Sequence, residues 1–438
     1  MRRTLRLLPR RPAQRGSGLP DVPAGLNCRA TRLGNGVHVL SETVAGARSV
    51  AVGAWVRQGG ALEPPEFLGA SHLLEHMVFR GTERRTRQEI ALSLESLGGS
   101  LNAYTSREHT GYEAHVMAPH LPVAVDVIAD LVRSPLLTEE DLEREKEVVS
   151  EEIAAVEDTP DDLVFELHGE GMWRGHPYGN SILGTRESVA SIAPEDLAAL
   201  HRCSYVGSNL VVAAAGLVDH DAFCKLAEEW FGGIEPGARA PAVPAPPEPQ
   251  TGTVRVSRDT AQVHIVLGSV TPGHSHADRY ALVLLSTALG GGMSSRLFQR
   301  VREELALAYA VYSYQSFYTR AGVSGVYAGT RPGWGRAALD AISEVYRRVA
   351  DEGLAAEELE RTREQVKGQI MLSLESPGAR LHRLAGFALH EEPFIPLDEL
   401  PALIDGVSMC DIVRVAGGIF DPDHQYALCL GPAETGNH

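Results

Sequence analysis

The chain lacks what a polyanion-binding or membrane-spanning protein needs. Its 438 residues carry a formal net charge of −17. After the first fifteen residues no basic run remains, which argues against a nucleic-acid binder, because affinity for a polyanion rests on clustered lysine and arginine. No run of eighteen apolar residues occurs, so no segment reads as a transmembrane helix. Cysteine is scarce: Cys28, Cys203, Cys224, Cys410 and Cys429 are odd in number and lack ligand-like spacing. They read as structural thiols in a reducing compartment rather than as a disulfide framework. Only three lysines accompany 37 arginines, a bias of the whole chain rather than a local signal.

What is present is ordinary globular composition, 44% apolar and 22% charged, in a chain too long for one hydrophobic core. Residues 1–24 read as a disordered basic tail, with six arginines and no acid among the first eighteen. That composition is also compatible with an organellar transit peptide. A bacterial cytoplasmic location is expected, with the mitochondrial matrix as the alternative. The segment 236-PGARAPAVPAPPEPQTG-252 cannot support a ladder or a stable helix and reads as an extended linker. It separates residues 25–235 from residues 253–438.

In the first half, an Asn-Gly turn precedes an alternating strand in 33-LGNGVHVLSETV-44, and 48-RSVAVGAWVRQG-59 reads as its neighbour. A helix is expected from about Ser71 to Phe79, paired strands at 101–106 and 111–118, and a proline-opened helix at 119–134. The two halves also carry a sign of duplication. Residues 137-LTEEDLEREKEVVSEEI-153 align without gaps to 354-LAAEELERTREQVKGQI-370, and in that alignment Glu145 meets Thr362 and Glu152 meets Gln369. The second half would keep the scaffold and lose the acids.

The chemistry concentrates in 71-SHLLEHMVF-79. His72 and His76 stand one helical turn apart on one face, so both imidazoles can reach one ion. Glu75 lies close enough to hold a metal-bound water without having to ligate. Leu73, Leu74, Met77, Val78 and Phe79 make the helix largely buried, and buried imidazoles beside a carboxylate need partners. A catalytic zinc takes three protein ligands and keeps a place for water. The acidic helix opened by Thr138 is the best supplier of the third. At about 100° per residue, Leu142, Val149, Ile153 and Val156 form its buried stripe. Glu151 then faces solvent with Glu139, Glu140, Glu143 and Glu147, while Glu145 and Glu152 share the flank of the stripe. Glu152 is the expected third ligand, and Glu145 an acid that orients a ligand from behind. In this scheme Zn²⁺ activates a water and Glu75 is the general base.

His72, Glu75, His76 and Glu152 together resemble the pitrilysin/insulinase family of inverted-motif (HxxEH) zinc metallopeptidases. The likeness is greatest to the two-domain branch that includes the catalytic subunit of mitochondrial processing peptidase and its bacterial relatives. Further agreement lies in 98-GGSLNAYTSREHTGYEAHV-116, 176-HPYGNSILGT-185 and 290-GGGMSSRLFQRVREELALAYAV-311. The resemblance implies two related α+β domains, each a mostly antiparallel sheet packed with helices, the second without metal ligands. It implies cleavage of extended peptides or unfolded segments in a chamber completed by a second subunit, as a homodimer or with a related partner. It also implies substrate contact by Asn102 and Ala103 on an edge strand, and by Arg302 and Tyr309, which the sequence places two helical turns apart. The alternatives are a noncatalytic scaffold or partner subunit of a peptidase or respiratory-type complex, and a zinc hydrolase of non-peptide substrates.

Overall fold

The computed structural model describes residues 27–433; the basic tail expected over 1–24 lies outside the described residues. Strands β1 (Cys28–Arg32), β2 (His38–Thr43), β3 (Ser49–Val56), β4 (Ser100–Thr105), β5 (Thr110–Met117) and β6 (Leu210–Gly216) form one sheet in the order β1-β2-β6-β3-β5-β4. Strands β7 (Gly252–Ser257), β8 (Val263–Pro272), β9 (Ala308–Phe317), β10 (Ala321–Thr330) and β11 (Tyr426–Gly431) form the other, in the order β7-β11-β8-β10-β9.

Helices α1 (Ala70–Val78), α2 (Arg87–Glu95), α3 (Leu121–Arg133), α4 (Glu139–Asp158), α5 (Pro160–Met172), α6 (Arg186–Ser191), α7 (Pro194–Ser204) and α8 (His220–Phe231) belong to the first half. The second half holds α9 (Arg279–Gly290), α10 (Gly335–Glu352), α11 (Ala356–Ser373), α12 (Pro377–Leu389), α13 (Leu400–Asp405) and α14 (Met409–Ile419). Residues 236–251 between them run without helix or strand.

Setting β1 aside, the two sheets share one topology. In each, the outer first strand pairs parallel with the last strand, and the remaining pairs are antiparallel in the same order. The fold is therefore two related α+β domains, and α4 and α11 occupy equivalent places after the sheet helices α3 and α10. Thr362 is buried at 5% exposure where its counterpart Glu145 is buried at 3%, so the duplicated site kept the packing and dropped the charge. One expected neighbour relation fails. Strand β6 lies between β2 and β3, parallel to the first and antiparallel to the second. All seven residues of β6 are buried, and a strand apolar on both faces belongs in a sheet centre rather than beside a solvated edge.

That double-faced burial also governs how the halves join. On one face of the first sheet, Val50, Val52, Ala54 and Val212 pack with α1, α3, α4 and α8 of the same half. On the other face, Leu40, Ala51, Trp55, Val211 and Ala213 pack against Leu381, Leu384, Ala385 and Phe387 of α12, a helix of the second half. The exchange is reciprocal, because α5 of the first half lends Val164 and Met172 to Val266, Leu428 and Leu430 of the second sheet. Burying each such Leu, Phe or Met side chain contributes ~1.5–3 kcal/mol. Arg57 Nη2 donates to the Ala388 carbonyl at the end of α12 at 2.5 Å, and His168 of α5 lies 3.0 Å from the Tyr426 carbonyl.

The approach of α5 to its borrowed sheet is close enough to test. A Cβ added at Gly171 would lie 2.0 Å from the Tyr426 hydroxyl and 2.5 Å from Cζ, whereas one at Gly169 would meet only Arg107 Nη2 at 3.8 Å. Gly171→Ala should therefore lower the midpoint of chemical unfolding, overpacking costing about 1–3 kcal/mol. Gly169→Ala should leave that midpoint unchanged or raise it, since alanine is the better helix former. Equal midpoints for the two variants would contradict this packing.

Candidate metal centre

Helix α1 starts at an unusual cap. Gly69 sits at φ +89 and a Cβ there would meet the Leu183 carbonyl oxygen at 2.5 Å, so glycine alone fits this corner. The side chain of Glu63 supplies the cap: one carboxylate oxygen accepts from Gly69 N at 2.8 Å and the other from Ser71 N at 2.5 Å. A carboxylate at a helix N-terminus satisfies free amides and suits the helix dipole. Burial pushes the Glu63 carboxyl up to about 7, against the pull of those donors. Gln58 Nε2 donates to Ser71 Oγ at 3.1 Å, pinning the same turn to the end of β3. The sequence reading missed Glu63; the signal was an acid, one of two in the 60–70 loop, ahead of a helix that lacks a Ser, Thr, Asp or Asn cap.

From the first and second turns of this helix, the His72 and His76 rings meet edge-on with centroids 4.6 Å apart. His72 Nε2 lies 3.6 Å from Glu152 Oε2, and His76 Nε2 lies 3.8 Å from Glu152 Oε1. The three ligand groups lie within 4.8 Å of one another, the one such cluster among the described residues. Burial, with the His76 imidazole close beside it, holds the His72 imidazole down at about 4, so His72 is neutral at neutral pH, the form that ligates. On the far side of its ring, His76 Nδ1 donates to Glu145 Oε2 at 2.9 Å, and Glu145 in turn pairs with Arg80. A proton on Nδ1 leaves the Nε2 lone pair turned toward Glu152.

These residues fit a zinc ion by geometry and by donor type. The separations of 3.6 and 3.8 Å exceed a hydrogen bond and approach the roughly 3.3–3.5 Å edge of a tetrahedron with ligand bonds of about 2.0–2.1 Å. Two imidazoles and one carboxylate are a zinc donor set.

The phase of α4 selects the third member. Leu142, Glu145, Val149 and Ile153 are buried, Glu151 is exposed, and Glu152 is half-buried against the histidines. Thr138 caps the helix by accepting from Asp141 N. Glu75 is 9% exposed, and its Oε2 accepts from the Thr105 hydroxyl at 2.6 Å. Burial raises the Glu75 pKa, with Thr105 and His76 opposing. Thr105 was not singled out from the sequence, although alternation along β4 places it on the same face as Leu101 and Ala103, the face that α1 covers.

Strand β4 is the outer strand of its sheet and pairs only with β5, Asn102 opposite Glu113 and Ala103 opposite Tyr112. Asn102 is exposed and Ala103 half-buried. Arg302 and Tyr309 are not two helical turns apart as expected. A short π-helical stretch, Phe298–Glu304, ends before Ala306, whose φ of +50 turns the chain, and Tyr309 lies on strand β9. The pair still meets, because the Arg302 guanidinium sits 5.4 Å from the Tyr309 ring and 4.7 Å from that of Phe298. Neither residue bonds to the His72, His76 and Glu152 cluster. The glycines before this stretch do mark a tight approach, since a Cβ on Gly290 would lie 2.2 Å from Ser313 N of β9.

Comparison with known proteins bears on this geometry. Residues 38–186 match the family profile described as Insulinase (Peptidase family M16), and residues 191–366 match that of the Peptidase M16 inactive domain. The chain is 38% identical over 394 residues to the uncharacterized zinc protease YmxG of Bacillus subtilis, spanning 90% of this chain and 96% of that one. It is 37% identical over 412 residues to an uncharacterized zinc protease of Mycobacterium leprae, spanning 92% of each. A protease from Helicobacter pylori shares the fold with a TM-score of 0.86 at 23% identity, over 92% of this chain and 99% of that chain. A peptidase M16 inactive domain from Pseudomonas fluorescens shares it with a TM-score of 0.88 at 19% identity, over 94% and 100%. The second domain also fits its profile's description, for α9, which stands where α1 stands in the first, reads RYALVLLSTALG without histidine or acid. By the span of both profiles and by its identity to these relatives, the chain belongs to the insulinase family of peptidases, family M16.

Proposed function

We propose that this protein is a zinc-dependent endopeptidase acting on extended peptides or unfolded polypeptide segments. One observation carries the reading: His72, His76 and Glu152 converge at one point, with the buried carboxylate of Glu75 beside them, tethered to the end of an open edge strand. His72, His76 and Glu152 would hold the ion. When bound, zinc supplies Lewis acidity and lowers the pKa of a coordinated water toward about 7. Glu75 takes the proton of the attacking water and returns it to the leaving amine, a task suited to a carboxyl whose pKa burial has raised. Glu145 holds the ring of His76 and fixes its tautomer.

The substrate lies along β4 as an added strand, held through main-chain hydrogen bonds at Asn102 and Ala103, which gives affinity with little sequence demand. Arg302 and Tyr309 contact substrate and stabilise the developing oxyanion, in their own subunit or across a homodimer; a related heterodimer is the second arrangement. This design is that of the two-domain branch that includes the processing peptidases. The site of action proposed is the bacterial cytoplasm; among the described residues no helix is long and apolar enough to cross a membrane.

Glu75→Gln should keep its metal and lose peptidase activity by about 10²–10⁴-fold; retained cleavage of a peptide library would remove Glu75 from the role of base. Glu152→Gln should lose most of its metal on dialysis while Glu151→Gln keeps it, read by metal analysis, and equal losses would refute the assignment from α4. Mixing Glu75→Gln with Arg302→Ala chains should restore activity if Arg302 serves the partner's site. Inactive mixed dimers, verified by mass, would place it in cis.

A further inference from the structure

We propose that the second domain grips β4, the strand along which substrate adds, from behind and that His382 of α12, through Glu113, is a positioning residue for Asn102. The inference rests on the peptidase reading of the β4 edge and concerns the face of β4 turned away from the metal.

Strand β4 has two faces with different owners. Leu101 and Ala103 pack into the core of the first domain, with Thr105 bound to Glu75. Asn102 and Tyr104 point the other way, and Tyr104 packs into the cluster built on α12. There the Tyr104 hydroxyl accepts from Trp55 Nε1 at 2.9 Å, and the Tyr104 and Trp55 rings lie 6.0 and 6.1 Å from the ring of His382. His382 Nε2 lies 2.9 Å from Glu113 Oε2. Glu113 is the residue directly opposite Asn102 in the β4–β5 register, and directly opposed residues in an antiparallel pair are neighbours on one face of the sheet. A helix belonging to the second domain thus reaches, through one ion pair, the cross-strand partner of the residue expected to meet substrate.

The pair is half-exposed on the His382 side, so it adds little to global stability. Its effect is to order the free edge of β4, where backbone pairing comes from one side only. Glu113 also makes the effect depend on protonation. Its hydrogen bond and charge raise the His382 pKa above the ordinary imidazole value, with burial opposing. His109 and His390, bordering the same 350 Å³ cavity, are held neutral by burial at about 4 and about 3. Glu392 is engaged by Arg279 and His274, and the Arg383 guanidinium donates to the Ile395 carbonyl and lies over Phe387 and Phe394. The Tyr104 hydroxyl stays neutral, its pKa raised by burial. Because the folded-state pKa of His382 is raised, the pair is complete below the ordinary imidazole range, and it is lost as pH rises through the raised value.

The test compares wild type with His382→Gln, His382→Lys and Glu113→Gln in the full-length zinc-loaded protein. KM for an unstructured peptide should rise several-fold in wild type as pH climbs through the His382 titration, with kcat following its own profile. His382→Gln and Glu113→Gln should show the high KM at every pH, and His382→Lys should keep the low KM to higher pH. Amide hydrogen exchange of residues 100–105, compared at one pH, should be faster in His382→Gln than in wild type and restored in His382→Lys. That readout needs no activity, so it separates failure of the latch from failure of the peptidase assignment. A fall in kcat alone, or exchange unchanged in His382→Gln, would overturn the proposal.

Discussion

A helix buried on nearly every side can carry polar groups only if each finds a partner, because an unpaired buried charge or amide costs several kcal/mol. Helix α1 is under that constraint, and the surrounding elements meet it at every buried side-chain group but His72 Nδ1. Its first amides go to Glu63, Ser71 to Gln58, Glu75 to Thr105 and His76 Nδ1 to Glu145. The two Nε2 atoms point toward Glu152 at distances too long for a hydrogen bond and suited to shared ligation, and His72 Nδ1 alone on this helix is buried without a hydrogen-bond partner. Three chain segments, the 58–63 stretch, the end of β4 and α4, are thus tied to one helix of nine residues, and the candidate site is what their convergence leaves over.

The duplicated domain shows the same scaffold released from that constraint. Where α4 presents Glu145, α11 presents Thr362, which satisfies itself by donating to the Glu358 carbonyl. Gln369, at the place of Glu152, is exposed. With no buried ligands to support, the second domain is free to serve as a wall. Its sheet needs cover on both faces, as the first does, and each domain supplies the other with one helix, α5 or α12. This exchange makes the two-domain unit one packed body rather than two beads on the 236–251 segment, and it puts α12 behind the edge strand.

Local physics made much of this legible. The H-x-x-E-H spacing put two imidazoles on one face, and helical phase alone separated Glu152 from Glu151, because a buried stripe at Leu142, Val149 and Ile153 leaves one flank beside the core. Alternation placed β4 and β5. Pairing that depends on sequence-distant partners was not legible. Strand β6 slips between β2 and β3 because its two apolar faces demand a central position, and no turn signal announces that. The run from Arg302 to Tyr309 has helical composition, yet it breaks at Ala306 because Ala308 and Ala310 are recruited into the ladder of β9 with β10, with Tyr309 bulged between them.

The sequence by itself determined which side chains can ligate and which helix faces they occupy, since both follow from residue chemistry and a fixed rotation per residue. Only the tertiary structure decided what surrounds them: Glu63 as the cap of α1, Thr105 as the tether of Glu75, and α12 as the cover of the first sheet. The physical reason is that an apolar strand face or an unpaired amide specifies that it must be covered, and not by what. Any helix of suitable shape satisfies the demand of β6, and the chain length between β6 and α12 carries no mark of the choice.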